Sequence, residues 1–377
     1  MRVTRIDTYK VWANWCNWLL VRVDTDEGIH GWGEGSLHGP IESVETAIHE
    51  IGRVLIGQDP AGPEQLWNQM YHAWRWRGGP TLMSAIAALD IALWDIEGKR
   101  LNVPVHRLLG GQVRSSLRVY ASHAFDGVQD EQEEHDRIRD FARRGYAGFK
   151  YVAFDAEAMR RNEQRALQHA SERMAAFRET AGDDLEIYIE CAERLSPRTV
   201  RIAAEMFEPY RPAWFEEPIP FENIEEMARV QAGISIPIAT GERLLNRWDF
   251  QRLLQTGGCR VIQPDLMHAG GITEVRKIAI LSDLFYVSVA PHNSGGPIAT
   301  LATMHLCAAI PNFLVLEQME RERPIRDALS TRPVQVVNGH FVVPTEPGLG
   351  TDIDIDRLAD YPFQPQPQSG IRSTVWH

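Results

Sequence analysis

From about Leu117 onward, short apolar segments alternate with longer segments whose apolar residues recur at helical spacing. Each apolar segment except the last is followed by such a helical pattern. Strands that alternate with helices in this way are typical of a closed parallel barrel. The eight predicted strands are LRVYASH, GFKYVAF, LEIYIE, AWFEEP, IPIATGE, RVIQPD, YVSVAPH and FLVLEQ. We therefore expect an α/β fold, a modified TIM barrel of the (β/α)7β type, over residues 116–325.

The residues before the barrel follow a different pattern. The segments RVTRIDTYKV, LLVRVDTDEG and GIHGWGEGS predict an antiparallel meander, and two helical segments follow, SVETAIHEIGRVLIG and TLMSAIAALDIALWDIEGKRL. Residues 1–115 are therefore predicted to form an α+β capping domain. Residues 326–377 are rich in proline and contain one strand-like segment, HFVVP. We expect this C-terminal segment to pack back on the cap.

Composition argues against several classes of partner. The chain has a formal net charge of −12 and a pI near 5.6, and it has no Lys/Arg run interleaved with aromatic residues, so nucleic acid is not expected to bind. No apolar run approaches the roughly 18 residues of a membrane helix, and the first residues alternate like a strand rather than a signal peptide. The four cysteines are scattered, without a CxxC pair. We expect a soluble cytoplasmic protein without disulfides or structural zinc.

Ionisable side chains stand at the carboxyl ends of the predicted strands three to eight. In parallel barrels these strand ends form one mouth, where the active site lies. Successive residues are about one strand–helix unit apart, so their side chains should meet at that mouth. The residues are Glu190, Glu216, Glu242, Asp265, His292 and Glu317.

The types of residue in this set point to a particular chemistry. Three neighbouring carboxylates, Glu190, Glu216 and Glu242, repel one another unless a cation offsets their charge, and oxygen ligands suit Mg²⁺. The pair Asp265 and His292 suits a base, because a carboxylate bonded to one imidazole nitrogen raises the basicity of the other. Together, an oriented histidine as base and a metal ion that stabilises developing negative charge can remove a proton α to a carboxylate.

The motifs of the chain, taken in order, resemble those of the enolase superfamily. Within it, the chain resembles the mandelate racemase-like subgroup and, more narrowly, the D-galactonate dehydratase branch of acid-sugar dehydratases. The matching segments run from about Thr25 to Gln318. They are TDEGIHGWGE, IGQDP, RGGPTLMSAIAALDIALWDIEGK, RLLGG, EPYRPAWFEEP, GERLLNRWDF, QPDLMHAGGITE, APHNSGGPIA and LEQ.

This resemblance implies roles for individual residues. Glu216 in FEEP and Glu242 in GER fall on positions that bind Mg²⁺ in the family. Asp265 in QPD and His292 in APH fall on the pair that abstracts the α-proton.

Two further positions concern the substrate carboxylate and the second base. Glu317 in LEQ falls on a residue that hydrogen-bonds the carboxylate, and Lys150 falls on the first lysine of a KxK motif on strand two. The second lysine, a base in racemases, is replaced by Val152. Dehydration needs one base and one acid, whereas a racemase needs a base on each face, so the resemblance favours a dehydratase over an epimerase.

The third strand departs from the pattern of the branch, in which it ends Asp-x-His. The family's Asp binds the metal and its His protonates the departing hydroxyl, but the two positions here are Glu190 and Ala192. We expect Glu190 to remain a metal ligand, which requires the metal to shift or the longer side chain to fold back. Ala192 cannot donate a proton, and loss of general acid help typically costs about 10²–10⁴-fold. The groups that could replace it are His292, His123, Glu193 and His38.

We therefore expect a lyase: a Mg²⁺-dependent hydro-lyase that converts an acid sugar to a 2-keto-3-deoxy acid. One alternative is a sugar-acid-binding protein that has lost catalysis, which the presence of Ala192 supports. The other is an epimerase, which needs an unusual second base. The family resemblance implies a small-molecule acid-sugar substrate and a homo-oligomer. Two cap segments, WANWCNW at residues 12–18 and SLHGP at residues 36–40, are expected to close over the mouth and set specificity.

Overall fold

A computed structural model describes residues 1–365 of the chain. It begins with an antiparallel meander of strands β1 (Val3–Trp12), β2 (Asn17–Thr25) and β3 (His30–Glu34). The helices α1 (Ile41–Gly52), α2 (Pro63–Tyr71), α3 (Pro80–Leu101) and α4 (Val105–Leu108) follow. Helix α3 is buried along most of its length because the meander covers one side of it and the second half of the chain the other. Gly33 permits that close approach, since an added Cβ there would lie 1.8 Å from the Ala88 carbonyl oxygen.

The barrel is a ring of parallel strands. Each strand pairs with the next, β11 pairs with β4, and a bridge between Val289 and Phe313 closes the ring. This arrangement confirms the predicted modified TIM barrel with an N-terminal cap. The barrel strands are β4 (Ser116–Ser122), β5 (Gly148–Val152), β6 (Glu186–Glu190), β7 (Trp214–Glu216), β8 (Ile238–Thr240), β9 (Val261–Ile262), β10 (Ser288–Val289) and β11 (Leu316–Met319).

Helices cover the outside of the ring. Most begin at a side-chain cap; for example, Asp130 accepts a hydrogen bond from the Glu133 N–H at the start of α5. The outer helices are α5 (Glu131–Arg143), α6 (Ala156–Arg161), α7 (Glu163–Ala181), α8 (Pro197–Phe207), α9 (Ile224–Ala232), α10 (Arg247–Thr256), α11 (Gly271–Asp283) and α12 (Pro297–Ala309).

A plug of apolar side chains fills the interior of the barrel below its mouth. It includes Tyr188 and Trp214, whose rings lie 4.2 Å apart between centroids. Side chains on a strand alternate between its two faces, so the residue two positions further on points to the same side. Glu190 and Glu216 are these next residues, and the plug therefore forms the floor beneath the acidic mouth.

The last described residues return to the cap. After β11 come a short helix α13 (Arg323–Leu329) and a hairpin of β12 (Val336–Val337) and β13 (His340–Val342). The segment HFVVP lies in part in β13, which extends the barrel by pairing antiparallel with the start of β4. Further on, the Leu349 N–H donates to Asp95 on α3 (2.8 Å), and the Trp12 N–H donates to the Tyr361 carbonyl (3.0 Å).

Cap and barrel are also joined by carboxylates at helix N-termini. Glu34, at the end of β3, accepts hydrogen bonds from the Gly296 and Ala299 N–H groups at the start of α12 (2.5 and 2.9 Å). Asp90 on α3 accepts from both the N–H and the hydroxyl of Thr273 in the first turn of α11 (3.0 and 2.5 Å). Both carboxylates are fully buried. They satisfy donors that a helix leaves free at its first turn, and they lie at the positive end of the helix dipole.

No helix within residues 1–365 is long and apolar enough to cross a membrane. The four cysteines all lie in this range, are buried and form no disulfide.

Asp90→Asn should change how stability depends on pH. Burial raises the pKa of Asp90 to about 7, although Thr273 donates to it. The folded protein then holds a proton that the unfolded chain releases near its ordinary pKa of ~3.9, so wild-type stability should fall between pH 4 and 7. Asn is neutral throughout. The stability of the variant relative to wild type, from urea midpoints, should therefore increase by up to roughly 1.4 kcal/mol per pH unit across that window.

Thr273→Val is the matched control for this experiment. It removes the hydroxyl that lowers the pKa of Asp90, so the decline in stability should extend to higher pH than in the wild type. Parallel pH curves for wild type and Asp90→Asn would contradict the assignment.

Candidate active site

A cavity of about 470 Å³ opens at the carboxyl ends of the barrel strands. Most of its wall comes from strand-end residues of the barrel, and Trp15 and His38 of the cap complete it. Both predicted cap segments therefore contribute a side chain to the cavity. The barrel residues include Ser122, His123, Lys150, Val152, Glu190, Ala192, Glu242, Arg243, His292 and Glu317.

The structure brings the three predicted glutamates together. Glu190, Glu216 and Glu242 each offer a carboxylate oxygen, and these oxygens lie within 4.8 Å of one another. Glu216 is fully buried, and the Trp214 indole N–H donates to its Oε2 (2.9 Å). Burial, reinforced by the charge of Glu216, raises the pKa of Glu190 well above its ordinary value. Burial and repulsion in the cluster therefore favour the protonated form of Glu190, and a bound cation would favour the ionised form.

Glu190 is one methylene longer than the aspartate of the related branch, and its side chain folds back on the turn that follows β6. Its Oε1 accepts a hydrogen bond from the Ala192 N–H at 2.6 Å. The backbone permits this, since Ala192 and Glu193 both adopt left-handed conformations, with φ of 51° and 59°. This turn accommodates the extra methylene of Glu190, and the other carboxylate oxygen, Oε2, lies 3.6 Å from Lys150.

The Lys150 ammonium lies among the acids. It contacts Glu216 and lies 2.9 Å from Glu317 Oε1 and 3.6 Å from Glu190 Oε2. Burial acts to lower the pKa of Lys150, but the charges of Glu216 and Glu317 outweigh it and hold that pKa well above its ordinary value. The lysine is therefore charged and offsets part of the acidic cluster.

His292 and Asp265 form the predicted pair. His292 Nδ1 lies 2.7 Å from Asp265 Oδ2, and Asp265 Oδ1 accepts from the Met267 N–H at 2.7 Å. The other ring nitrogen, Nε2, lies 3.6 Å from Glu242. Burial acts to lower the pKa of His292, but Glu242 and Asp265 outweigh it and raise that pKa to about 10. The imidazole is thus held in one orientation with Nε2 at the acidic cluster.

Glu317 is fixed from two sides. Its Oε2 accepts from the Asn293 N–H at 2.9 Å, and its Oε1 faces Lys150. Burial acts to raise the pKa of Glu317, but the charges of Lys150 and His292 outweigh it and hold that pKa below its ordinary range. Glu317 is therefore an ionised acceptor that borders the cavity.

Arg243 is a member of the site that the sequence analysis missed. Its guanidinium lies 3.2 Å from Glu217, 3.3 Å from Glu242 and 3.5 Å from Glu193. Glu217 also accepts from the Thr240 hydroxyl and the Gly241 N–H (2.7 and 2.8 Å). The available signal was the GER motif, in which an arginine follows the strand-end glutamate.

The residues considered as substitutes for the missing acid lie in different surroundings. His123 and His38 both line the cavity, and Trp15 packs edge-on to each, at 5.2 and 4.5 Å between ring centroids. Glu193 instead pairs with Arg243 and accepts from the Phe221 N–H at 3.2 Å. The two histidines thus line the cavity, whereas the Glu193 carboxylate is held by Arg243 and a backbone N–H.

The donor set fits a hard divalent cation. Carboxylate oxygens are the ligands that Mg²⁺ prefers, and a buried acidic cluster is stable only with compensating positive charge. Glu190, Glu216 and Glu242 provide such a set on adjacent strands, β6, β7 and the end of β8.

Comparison with protein families and solved structures agrees with this geometry. Residues 14–110 match the mandelate racemase / muconate lactonizing enzyme N-terminal domain, and residues 133–357 match the enolase C-terminal domain-like family. An enolase from Agrobacterium radiobacter, named as a candidate galactarate dehydratase and solved with sodium and L-malate, is 31% identical with a TM-score of 0.89. The match covers 96% of this chain and 95% of that one.

Other solved structures match over similar lengths. A candidate dehydratase from Salmonella enterica serovar Typhimurium is 33% identical with a TM-score of 0.88, covering 96% of this chain and 98% of that one. A mandelate racemase/muconate lactonizing enzyme from Jannaschia sp. CCS1 is 30% identical with a TM-score of 0.89, covering 97% and 99%. The chain therefore belongs to the enolase superfamily, in its mandelate racemase-like subgroup, as its motifs indicated.

Proposed function

We propose that this protein is a Mg²⁺-dependent dehydratase of an acid sugar. The observation that carries the proposal is the oriented His292–Asp265 pair, whose free nitrogen lies 3.6 Å from Glu242 of the carboxylate cluster. A base beside a cation site is the arrangement that removes a proton α to a carboxylate. The names of the Agrobacterium and Salmonella structures, both candidate dehydratases, support the same class of reaction.

In the proposed reaction His292 Nε2 takes the proton from C2 of the substrate. The ring must be neutral to do so, and a cation bound at Glu242 would favour that form by offsetting the charge that raises the pKa of His292. Asp265 holds the ring through Nδ1, so that the ring keeps the tautomer and orientation the step needs. Mg²⁺, held by Glu190, Glu216 and Glu242, would supply positive charge to the substrate carboxylate as negative charge develops on it. The hydroxyl then leaves C3, and the resulting enol rearranges to the 2-keto-3-deoxy acid.

Lys150 and Glu317 are proposed to position the substrate carboxylate. Lys150 offers a positive charge at the edge of the acidic cluster, and Glu317 accepts a hydrogen bond or orients Lys150. Both line the cavity, so both can reach a bound molecule.

One observation favours a second candidate, a sugar-acid-binding protein without catalysis. Ala192 stands in the cavity where the branch has a histidine. Against this, the His292–Asp265 pair is intact, and a binding protein has no need of an oriented base. An epimerase needs a second base on the opposite face of the substrate. The position of that base is occupied by Val152, which cannot accept a proton.

His292→Asn should abolish α-proton chemistry. Asn cannot accept the C2 proton, so loss of deuterium exchange at C2 and of keto product is expected. The measurement is a screen of acid sugars with Mg²⁺ in D₂O, with NMR of recovered substrate and assay of 2-keto-3-deoxy product. Asp265→Asn should leave the His292 imidazole in the site but lower the rates of deuterium exchange and keto-acid formation by about 10²–10⁴-fold. Exchange at the wild-type rate in His292→Asn would rule out the assignment.

Glu216→Gln should weaken Mg²⁺ binding. The amide removes one negative charge from the centre of the cluster, and even changes around metal ligands typically cost ~10–100-fold in affinity, so we expect at least that loss. Isothermal titration with MgCl₂ measures it directly, without need of a substrate. Glu225→Gln, an exposed glutamate paired with Arg252, is the matched control and should bind as wild type. Equal affinity in both variants would contradict the proposed ligand set.

Lys150→Met should destabilise the metal-free protein. It leaves Glu190, Glu216 and Glu317 without their shared cation, and breaking a buried ion pair costs about 3–5 kcal/mol. Urea unfolding in EDTA measures the loss. Lys277→Met, which breaks a pair with Glu64 at the surface, should cost at most about 1 kcal/mol. Equal losses in the two variants would show that Lys150 does not balance the cluster.

A further inference from the structure

The proposed elimination lacks a proton donor at the position of Ala192, and the cavity offers a candidate for that role at the end of another strand. His123 follows β4, whose neighbours β5 and β11 carry Lys150 and Glu317. All three side chains line the same cavity. His123 therefore lies within the site that would hold the substrate, at the end of the strand between those of Lys150 and Glu317.

The ring of His123 has two different edges. Its Nδ1 has no accessible surface, yet the side chain as a whole is 29% exposed. Nδ1 lies 3.5 Å from Asp126 Oδ2 and 3.6 Å from Glu322 Oε1. The exposed part of the side chain therefore excludes Nδ1, and Nε2 is the ring nitrogen left for a molecule bound in the cavity that His123 lines.

Glu322 is the unusual member of this group. Its side chain is completely buried, and among the described residues neither carboxylate oxygen has a hydrogen-bond partner. It occupies the N-cap position of α13 but makes no capping hydrogen bond, and the nearby Arg326 donates to the Gly295 carbonyl instead (3.0 Å). Its nearest guanidinium contact is Arg321 Nε, 3.9 Å from Oε1. Burial of a carboxylate that accepts no hydrogen bond is costly. The fold thus keeps a buried carboxyl group behind His123 that helix capping does not use.

His123 and Glu322 are similar to His292 and Asp265 in that a buried carboxylate lies near Nδ1 of the histidine. The first pair is 3.6 Å apart, which is too long for a hydrogen bond, whereas the second is hydrogen-bonded at 2.7 Å. Trp15 of the cap packs edge-on against the His123 ring at 5.2 Å and restricts its rotation. His123 also has a left-handed backbone, with φ of 51°, and such conformations occur disproportionately at functional sites.

We propose that His123 is the general acid that protonates the C3 hydroxyl of the substrate as it leaves, and that Glu322 is its positioning residue. The inference rests on the proposed dehydratase function. His292 takes the C2 proton, and the electron pair of that C–H bond is delocalised onto the substrate carboxylate. This step can reverse, and the pair forms the C2=C3 double bond only when the C3–O bond breaks. The C3–O bond breaks, and its electron pair leaves with the oxygen, which takes a proton from His123 Nε2 and departs as water.

The remaining steps balance the reaction. The enol gains a proton at C3 and loses the proton of its C2 hydroxyl, which yields the ketone. His292 returns its proton and neutral His123 is reprotonated by solvent. The net change is the loss of one water molecule from the acid sugar.

The test compares two readouts in one D₂O reaction, with the acid sugar that the wild type dehydrates and with Mg²⁺. His123→Asn should lower keto-acid formation by about 10²–10⁴-fold, while deuterium exchange at C2 continues near the wild-type rate because His292 is untouched. His292→Asn should lose both. If the wild type itself shows neither signal with any acid sugar, the proposed function fails, whatever His123 does.

A substrate analogue isolates the protonation step. Chloride leaves without a proton, so His123→Asn should eliminate it from the 3-chloro-3-deoxy analogue at close to the wild-type rate. Glu322→Gln should lower kcat for dehydration with little change in KM, and Glu322→Asp should recover part of it, which tests positioning even if His123→Asn folds poorly. His135→Asn, on the outer helix α5, is the control and should behave as wild type.

Three results would overturn the inference. They are wild-type dehydration by His123→Asn, equal loss of exchange and dehydration in that variant, and loss of dehydration with retained exchange in His38→Asn instead.

Discussion

The site depends on the docking of the cap onto the barrel, and that docking uses buried carboxylates at helix N-termini. Glu34 accepts from the first N–H groups of α12, and Asp90 accepts from Thr273 at the start of α11. Each acid satisfies donors that would otherwise be buried without partners, so the contact has one geometry rather than many. Because β3 carries Glu34, the loop after it is fixed over the mouth, and His38 joins the cavity wall.

Charge balance is the second constraint. Buried acids of like charge are stable only if cations accompany them, and the structure provides these at fixed places. Lys150 lies among Glu190, Glu216 and Glu317. Arg243 pairs with Glu217 and Glu242 on the other side of the cluster. The proposed Mg²⁺ would add positive charge to a cluster that the protein already partly neutralises.

The turn after β6 links an unusual sequence to the chemistry. A glutamate stands where the related branch has an aspartate, and its side chain reaches back to the Ala192 N–H. Two consecutive left-handed residues make that turn. Ala192 in this turn has no proton to donate and Glu193 is paired with Arg243, so the proposed elimination needs an acid from elsewhere in the cavity. His123, with Glu322 behind it, is the group whose surroundings suit that task.

The barrel, the cap and the order of the acidic strand ends could be predicted from the sequence, because alternation of apolar segments and period-two placement of side chains are local properties. It also paired Asp265 with His292, since neighbouring strands of one barrel bring their ends together. Three features became visible only in the folded molecule: the Glu190 side chain folds back, Arg243 joins the site, and Glu322 lies behind His123. These contacts join residues from separate turns and loops, whose backbone angles depend on the packing of the whole molecule and not on any pattern in the chain.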